Sequence, residues 1–152
     1  MAVQLAARAG AAVIGIAGER NLDYIRSLGA TAVAYGEGLE ERVREAAPSP
    51  VTKLLDCHGP QYVDLALELG LDPAAIATIV PAPPSIAKGA RVTGGRDALP
   101  REDLRRTAGL VADGAVRATV ARARPFDLDA VREAYTELRG GHVRGKLVIE
   151  MA

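Results

Sequence analysis

From residue 12 onward, short β-branched runs alternate with stretches of helical periodicity, and that alternation leaves few folds open. Repeated βα units produce a mainly parallel sheet, because each helix carries the chain back before the next strand begins. The expected class is therefore α/β, with helices on both faces of the sheet. Residues 12–17 carry no polar side chain, as a strand covered on both faces requires. Further strands are expected at 31–35, 51–57, 75–80, 91–93, 116–121 and 146–151. Residues 2–9, 20–28, 39–47, 100–113 and 128–139 read as helices, as does the segment that Pro60 opens.

Local signals set the ends of these elements. Leu22, Ile25 and Leu28 recur every three residues, and Gly29 supplies the left-handed residue that ends their helix. Pro48 and Pro50 stop the helix over 39–47, Asp127 is the expected N-cap of 128–139, and Gly140 and Gly141 stop it. After Pro60, the expected buried face is Tyr62, Val63, Ala66, Leu67 and Gly70. In 100–113 it is Leu104, Ala108 and Val111, with Gly114 ending the helix. The prolines of residues 81–84 cannot donate a ladder of hydrogen bonds, so a loop is expected there.

The chain's 152 residues make one domain's length, and its 19 basic and 19 acidic side chains leave no net charge. Neither nucleic acid nor an anionic membrane is therefore expected as a partner. Aromatic residues, at 3%, are too few to offer a stacking platform. A single cysteine, Cys57, excludes an internal disulfide and points to a reducing, cytoplasmic setting. His58 and His142 are far apart with no cysteine cluster beside them, so no metal site is expected. Charged residues interrupt every apolar run before it reaches the ~20 residues of a membrane span, and residues 1–8 read as the interior of a helix rather than a secretion signal.

In an open α/β sheet, ligands bind outside the carboxyl ends of the strands, which gathers the loops at 17–21, 35–38, 57–60 and 80–84 along one rim. A dinucleotide site would add G-x-G-x-x-G between its first strand and first helix, and no such sequence is present. Ala2-Val-Gln-Leu-Ala-Ala-Arg-Ala-Gly-Ala-Ala-Val-Ile-Gly15 explains why, since it resembles the stretch that follows this loop in medium-chain dehydrogenases/reductases. Within that superfamily the chain is most similar to the zinc-independent quinone oxidoreductase and enoyl reductase branch. The likeness lies in Arg20-Asn-Leu-Asp-Tyr-Ile-Arg-Ser-Leu-Gly-Ala30, Tyr35, Leu54-Leu-Asp-Cys-His-Gly59 and Gly141-His-Val-Arg-Gly-Lys-Leu-Val-Ile149.

The resemblance implies a Rossmann-like fold lacking its first strand and glycine loop, so residues 1–152 would form an incomplete dinucleotide-binding domain. Residues 145–151 would be a C-terminal strand joining a catalytic domain that lies outside the match. No catalytic residue carries over. The implied cofactor is NADP, because Arg20 stands where NADP-using relatives bind the 2'-phosphate, with Tyr35 beside it. Gly18 and Asn21 flank Arg20 in the same turn, although Glu19 makes the local charge mixed and a solvated helix-start arginine is the plainer reading of Arg20. Residues 56–59 and 79–81 match loops that pass the ribose and nicotinamide mainly through backbone groups, with Cys57, His58, Gly59, Ile79 and Val80 the implied contacts. Lys146 matches a pyrophosphate contact, or else is a surface lysine opening an edge strand. Cys57 and His58, as strand neighbours, point to opposite faces, which opposes a nucleophile and base pair. His142 reads as a loop residue.

Two functions are thereby expected. One is the cofactor-binding portion of an NADP-dependent oxidoreductase acting on a quinone, an enal or a similar carbonyl compound, a small molecule in either case. The other is a non-catalytic module that pairs with another chain, either a second copy or a complementing catalytic half, through the strand edges that a missing first strand exposes.

Overall fold

The computed structural model describes residues 1–94, 101–141 and 143–151, so Pro100 and His142 lie outside the described residues. It divides into two compact units, Ala2–Leu104 and Arg105–Ala152, the latter grouped with Met1. Every ladder in both units is parallel, as the βα alternation requires.

The first unit runs α1 (Ala2–Arg8), β1 (Ile14–Ala17), α2 (Leu22–Ser27), β2 (Thr31–Ala34) and α3 (Leu39–Ala46). It continues through β3 (Leu54–Asp56), α4 (Gln61–Glu68), β4 (Ile76–Thr78), α5 (Pro83–Ala87) and β5 (Arg91–Val92). β1 pairs with β2, and β3, β4 and β5 form a second sheet in that order. Among the described residues no ladder joins β1 to β3, which is where the resemblance leaves a strand out. Leu55, in the middle of β3, is accordingly 46% exposed, a high value for an apolar residue at the centre of a strand. Arg44 on α3 links the two halves of the unit by donating to the main-chain oxygen of Glu68 at the end of α4, at 2.7 Å.

Small aliphatic side chains build the core. Val63, Ala66, Leu71, Ile76 and Ala90 are buried together, and Val51, Leu54, Leu67 and Leu69 pack around them. Val63 and Ala66 are three apart on α4 and share its inner face. Leu65 is also buried, although it lies about 200° round the helix from Val63. Cover on two sides explains why a one-face pattern misses Leu65, while Tyr62 and Leu67 are only half-buried and Gly70 is exposed.

Gly15 fixes how α2 lies on β1. A β-carbon at Gly15 would stand 2.5 Å from Cγ2 of Ile25, so only a bare α-carbon lets the helix come this close. Gly29 has the expected positive φ, +89°. The expected helix over 20–28 proves to be two pieces, a 3-10 turn at Glu19–Asn21 followed by α2. The loop expected at 81–84 is corrected as well. Pro83 and Pro84 begin α5, where a proline's missing N–H would have had no partner in any case.

The second unit contains most of α6 (Arg101–Ala112), then β6 (Val120–Pro125), α7 (Leu128–Arg139) and β7 (Lys146–Glu150). Two expectations fail here. α6 buries none of its residues, and Leu104, on its supposed inner face, is 64% exposed. Gly114, at φ +69°, ends the helix as expected, but the strand expected at 116–121 lies at 120–125, because Val116 folds back on the helix end: its N–H donates to the Leu110 oxygen at 2.9 Å and its side chain is buried. Asp127 caps α7 as expected, accepting from the Ala130 amide at 2.8 Å. Arg124 bridges Glu133 at 2.7 Å and Glu137 at 3.1 Å, and Arg122 bonds Glu137 at 2.9 Å. Hydrogen bonds from Arg122, and then from Arg124, hold the Glu137 carboxyl below the usual carboxylate range.

The contact at Gly15 sets a test. Gly15→Ala is expected to destabilise the chain by about 1–3 kcal/mol, because Ile25 or the whole of α2 must move to admit a methyl group. Urea unfolding of wild type and variant measures the difference, and in an Ile25→Ala background, which removes the Cγ2 that the methyl would meet, the cost of Gly15→Ala should be smaller.

Candidate functional site

β1 and β2 end at the same level, with Ala17 opposite Ala34. The Tyr35 amide donates to Ala17 at 3.1 Å, so the residue after β2 is held against the end of β1. There the Tyr35 ring lies over Gly18, where a β-carbon would be only 3.2 Å from its Cε1. From Gly18 the chain enters the 3-10 turn, closed by the Asn21 amide on the Gly18 oxygen at 2.8 Å. Arg20 is exposed in this turn and Asn21 half-buried.

Arg42 of α3 holds the neighbouring turn. Its guanidinium donates to main-chain oxygens of Glu37 at 2.5 Å and Ala34 at 3.0 Å, bracketing Tyr35 and leaving 61% of that residue exposed. Sequence reasoning missed Arg42, which sits in a helix of charged residues and carries no motif of its own. Its fork of donors is nevertheless what gathers the carbonyls of a tight turn.

The carboxyl ends of β3 and β4 meet in a buried polar cluster. Asp56, 2% exposed, accepts at Oδ1 from the amides of His58 at 2.8 Å and Gly59 at 2.9 Å. At Oδ2 it accepts from the Thr78 hydroxyl at 2.6 Å. The Thr78 Oγ1 in turn accepts from the Val80 amide at 2.9 Å. Gly59 is buried, Cys57 and His58 are exposed, Val80 is half-buried, and Ile79 projects from the turn with 51% of its surface exposed. Thr78 was also missed, though a polar residue in the apolar run Ile76-Ala-Thr-Ile-Val80 was a legible signal.

An aromatic pair adjoins the two loop ends. His58 meets Tyr62 edge to face, with ring centroids 5.7 Å apart. Burial pushes the Tyr62 phenol up, and the nearby Tyr35 and Asp56 push it further. Gly18, Arg20, Asn21, Tyr35, Cys57, His58, Gly59, Ile79 and Val80 all belong to the first unit. Lys146 belongs to the second, where it opens β7 and its amide donates to Thr119 at 2.9 Å.

The family model for zinc-binding dehydrogenases matches residues 28–149. The chain belongs to that family. Its fold is Rossmann-like and of the medium-chain type, an oxidoreductase family that uses nicotinamide cofactors. No curated protein matches the chain. Among solved structures, the quinone oxidoreductase from Coxiella burnetii is 29% identical with a TM-score of 0.73, covering 99% of this chain and 48% of its own. A proposed alcohol dehydrogenase from Sinorhizobium meliloti 1021 is 27% identical with a TM-score of 0.76, covering 99% of this chain and 44% of its own. AibC is 26% identical with a TM-score of 0.75, covering 99% and 48%. The chain thus spans just under half the length of these structures. Despite the family's name, no group of three or more His, Cys, Asp or Glu among the described residues could hold a metal ion. No helix among the described residues is long and apolar enough to cross a membrane.

Cys57 is exposed but poorly suited to act as a nucleophile. Partial burial, followed by the adjacent Asp56 charge, pushes its thiol above the ordinary value, so less of it is thiolate at any given pH. At pH 8 Cys57 is expected to react with iodoacetamide more slowly than the cysteine of an unstructured peptide, and urea should abolish the difference. A native rate equal to or above that of the peptide would reject this account of Cys57.

Proposed function

We propose that the chain is the cofactor-binding portion of an NADP-dependent oxidoreductase whose substrate is a quinone, an enal or a similar carbonyl compound. The reading rests chiefly on the contact between Gly18 and Tyr35 beside Arg20, at the carboxyl end of two parallel strands. An α/β sheet takes its ligands at that end. Arg20 would pair with the 2'-phosphate, and Tyr35, braced by the turn that Arg42 holds, would border the same group. His58, Gly59, Ile79 and Val80 would flank the ribose and nicotinamide, with Ile79 offering apolar surface to the ring.

The residues present fit the two ends of the cofactor better than its middle, because the sequence has no glycine-loop amides to meet the pyrophosphate. When bound, the nicotinamide supplies or accepts the hydride, and the protein's part is to hold and orient it. The likeness to a quinone oxidoreductase supports the substrate class, and the low polarity of Ile79 and Val80 suits a site that excludes water.

One observation favours a second reading. The missing ladder between β1 and β3, together with the exposed Leu55, leaves strand edges of the kind that pair with another chain. A module that works by such pairing, with a second copy or with a complementing half, would need no cofactor.

One set of assays separates the two. The 152-residue chain alone is expected to show no turnover with NADPH and a panel of quinones and enals, and to bind NADPH weakly, with Kd on the order of millimolar. Joined to a family N-terminal half that brings a first strand and glycine loop, it is expected to turn over. In that joined form Arg20→Ala should weaken NADPH by ~1.5–3 kcal/mol and leave NADH nearly unchanged, with Tyr35→Phe acting in the same direction but less. Equal losses for both cofactors would reject the role of Arg20, and failure of the joined form to bind either would favour the pairing module.

A further inference from the structure

Asp56 and Thr78 are directly opposite one another in the parallel ladder, each the last residue of its strand. The loops that follow them contain His58, Gly59, Ile79 and Val80, and the two side chains reach into both loops at once. Asp56 binds two amides of its own loop through one oxygen and the Thr78 hydroxyl through the other. Thr78 binds the Val80 amide of the second loop. A hydroxyl has a single proton, and the carboxylate at 2.6 Å is a stronger acceptor than the alternative, the Val80 carbonyl at 3.1 Å. The bonds therefore form a directed chain in which Val80 N–H donates to Thr78 and Thr78 O–H donates to Asp56. His58 and Gly59 N–H complete the carboxylate's set.

Main-chain bonds complete the arrangement. The Ile79 amide donates to the Asp56 oxygen at 2.9 Å, and the Thr93 amide, just past β5, donates to the Thr78 oxygen at 2.9 Å. Three strand ends thus converge on two adjacent residues. Asp56 and Thr78 are both buried, so neither touches a ligand directly.

We propose that Asp56 and Thr78 are positioning residues that lock the loops after β3 and β4 to a single spacing and so orient the nicotinamide end of the cofactor. The proposal rests on the cofactor reading above for its second half only. Its first half, the coupling of the loops, stands on the hydrogen bonds alone.

The test uses amide NMR on the 152-residue chain and three variants. Thr78→Val keeps the shape of the side chain and removes the hydroxyl. Thr78→Ser restores the hydroxyl, and Asp56→Asn keeps an acceptor for the two amides while reversing the bond to Thr78. In Thr78→Val the amides of His58 and Gly59, which do not bond Thr78, are expected to exchange about 3- to 10-fold faster with solvent, together with Val80. Thr78→Ser should behave as wild type, and Asp56→Asn should fall between. Faster exchange at Val80 alone would overturn the coupling.

Titrations with NADP+ and with 2',5'-ADP, which lacks the nicotinamide half, test the orientation. Thr78→Val should weaken NADP+ at least about fivefold while leaving 2',5'-ADP within twofold, and Thr78→Ser should restore the wild-type value. Equal weakening of both probes would mark a merely structural role and overturn the proposal, as would no weakening of either. Wild-type chain whose spectrum responds to neither probe at tens of millimolar would overturn the cofactor reading and with it the orientation, while the exchange result would still decide the coupling.

Discussion

The strands of the first unit are two to four residues long, and a ladder that short offers few hydrogen bonds with which to hold its own ends. Parallel pairs are already the less stable kind, so the ends of these strands depend on side chains. Arg42 gathers the carbonyls after β2, Asp56 and Thr78 join the ends of β3 and β4, and Arg44 ties α3 to the end of α4. Each of these groups is polar, and each acts on main-chain atoms or on a second polar side chain. The aliphatic core gives the unit its cohesion, while these bonds give its loops their shape.

That division explains what could be read from the sequence. The βα alternation, the parallel pairing, the stop at Gly29, the cap at Asp127 and the helix over 128–139 follow from periodicity and turn chemistry, which are local properties of the chain. The gap between β1 and β3 was legible through the resemblance, which sets Ala2–Gly15 after the glycine loop and after the strand before it. What failed was mostly a matter of tertiary cover. Leu104, Ala108 and Val111 have helical spacing, but spacing does not supply a surface to bury them against, and α6 buries nothing. Leu65 is the converse case, an apolar residue off the expected face that is buried nonetheless.

The candidate site was legible as a set of loops and opaque as a set of contacts. Gly18 and Tyr35 were picked out separately from resemblance, and the closeness of the Tyr35 ring to Gly18 is set by the register of β1 on β2. Arg42 and Tyr62 were missed although their partners are close in sequence, because Arg42 acts on main-chain oxygens five and eight residues back and Tyr62 meets the His58 ring, contacts that no side-chain motif encodes. Asp56 belonged to a recognised stretch but was valued for the loop after it. Its own importance appears only with Thr78, 22 residues away in sequence and adjacent in the ladder.

The pairing of Asp56 with Thr78 also bears on how the chain avoids folding in the wrong alignment. The apolar residues of β3 and β4 fix the offset only weakly, since each strand is three residues long and supplies only two aliphatic side chains. Only one offset sets the carboxylate across from the hydroxyl. A slip of one residue would bring Asp56 opposite Ala77 or Ile79 and turn the strand's two faces over. Thr78, with none of its surface exposed, would then lose the carboxylate that its hydroxyl serves and Asp56 would lose that donor, at a cost of about 1–3 kcal/mol. Two polar side chains at the tips of two short apolar strands therefore act as an alignment mark, one that makes the misaligned sheets unstable rather than the correct one exceptionally strong.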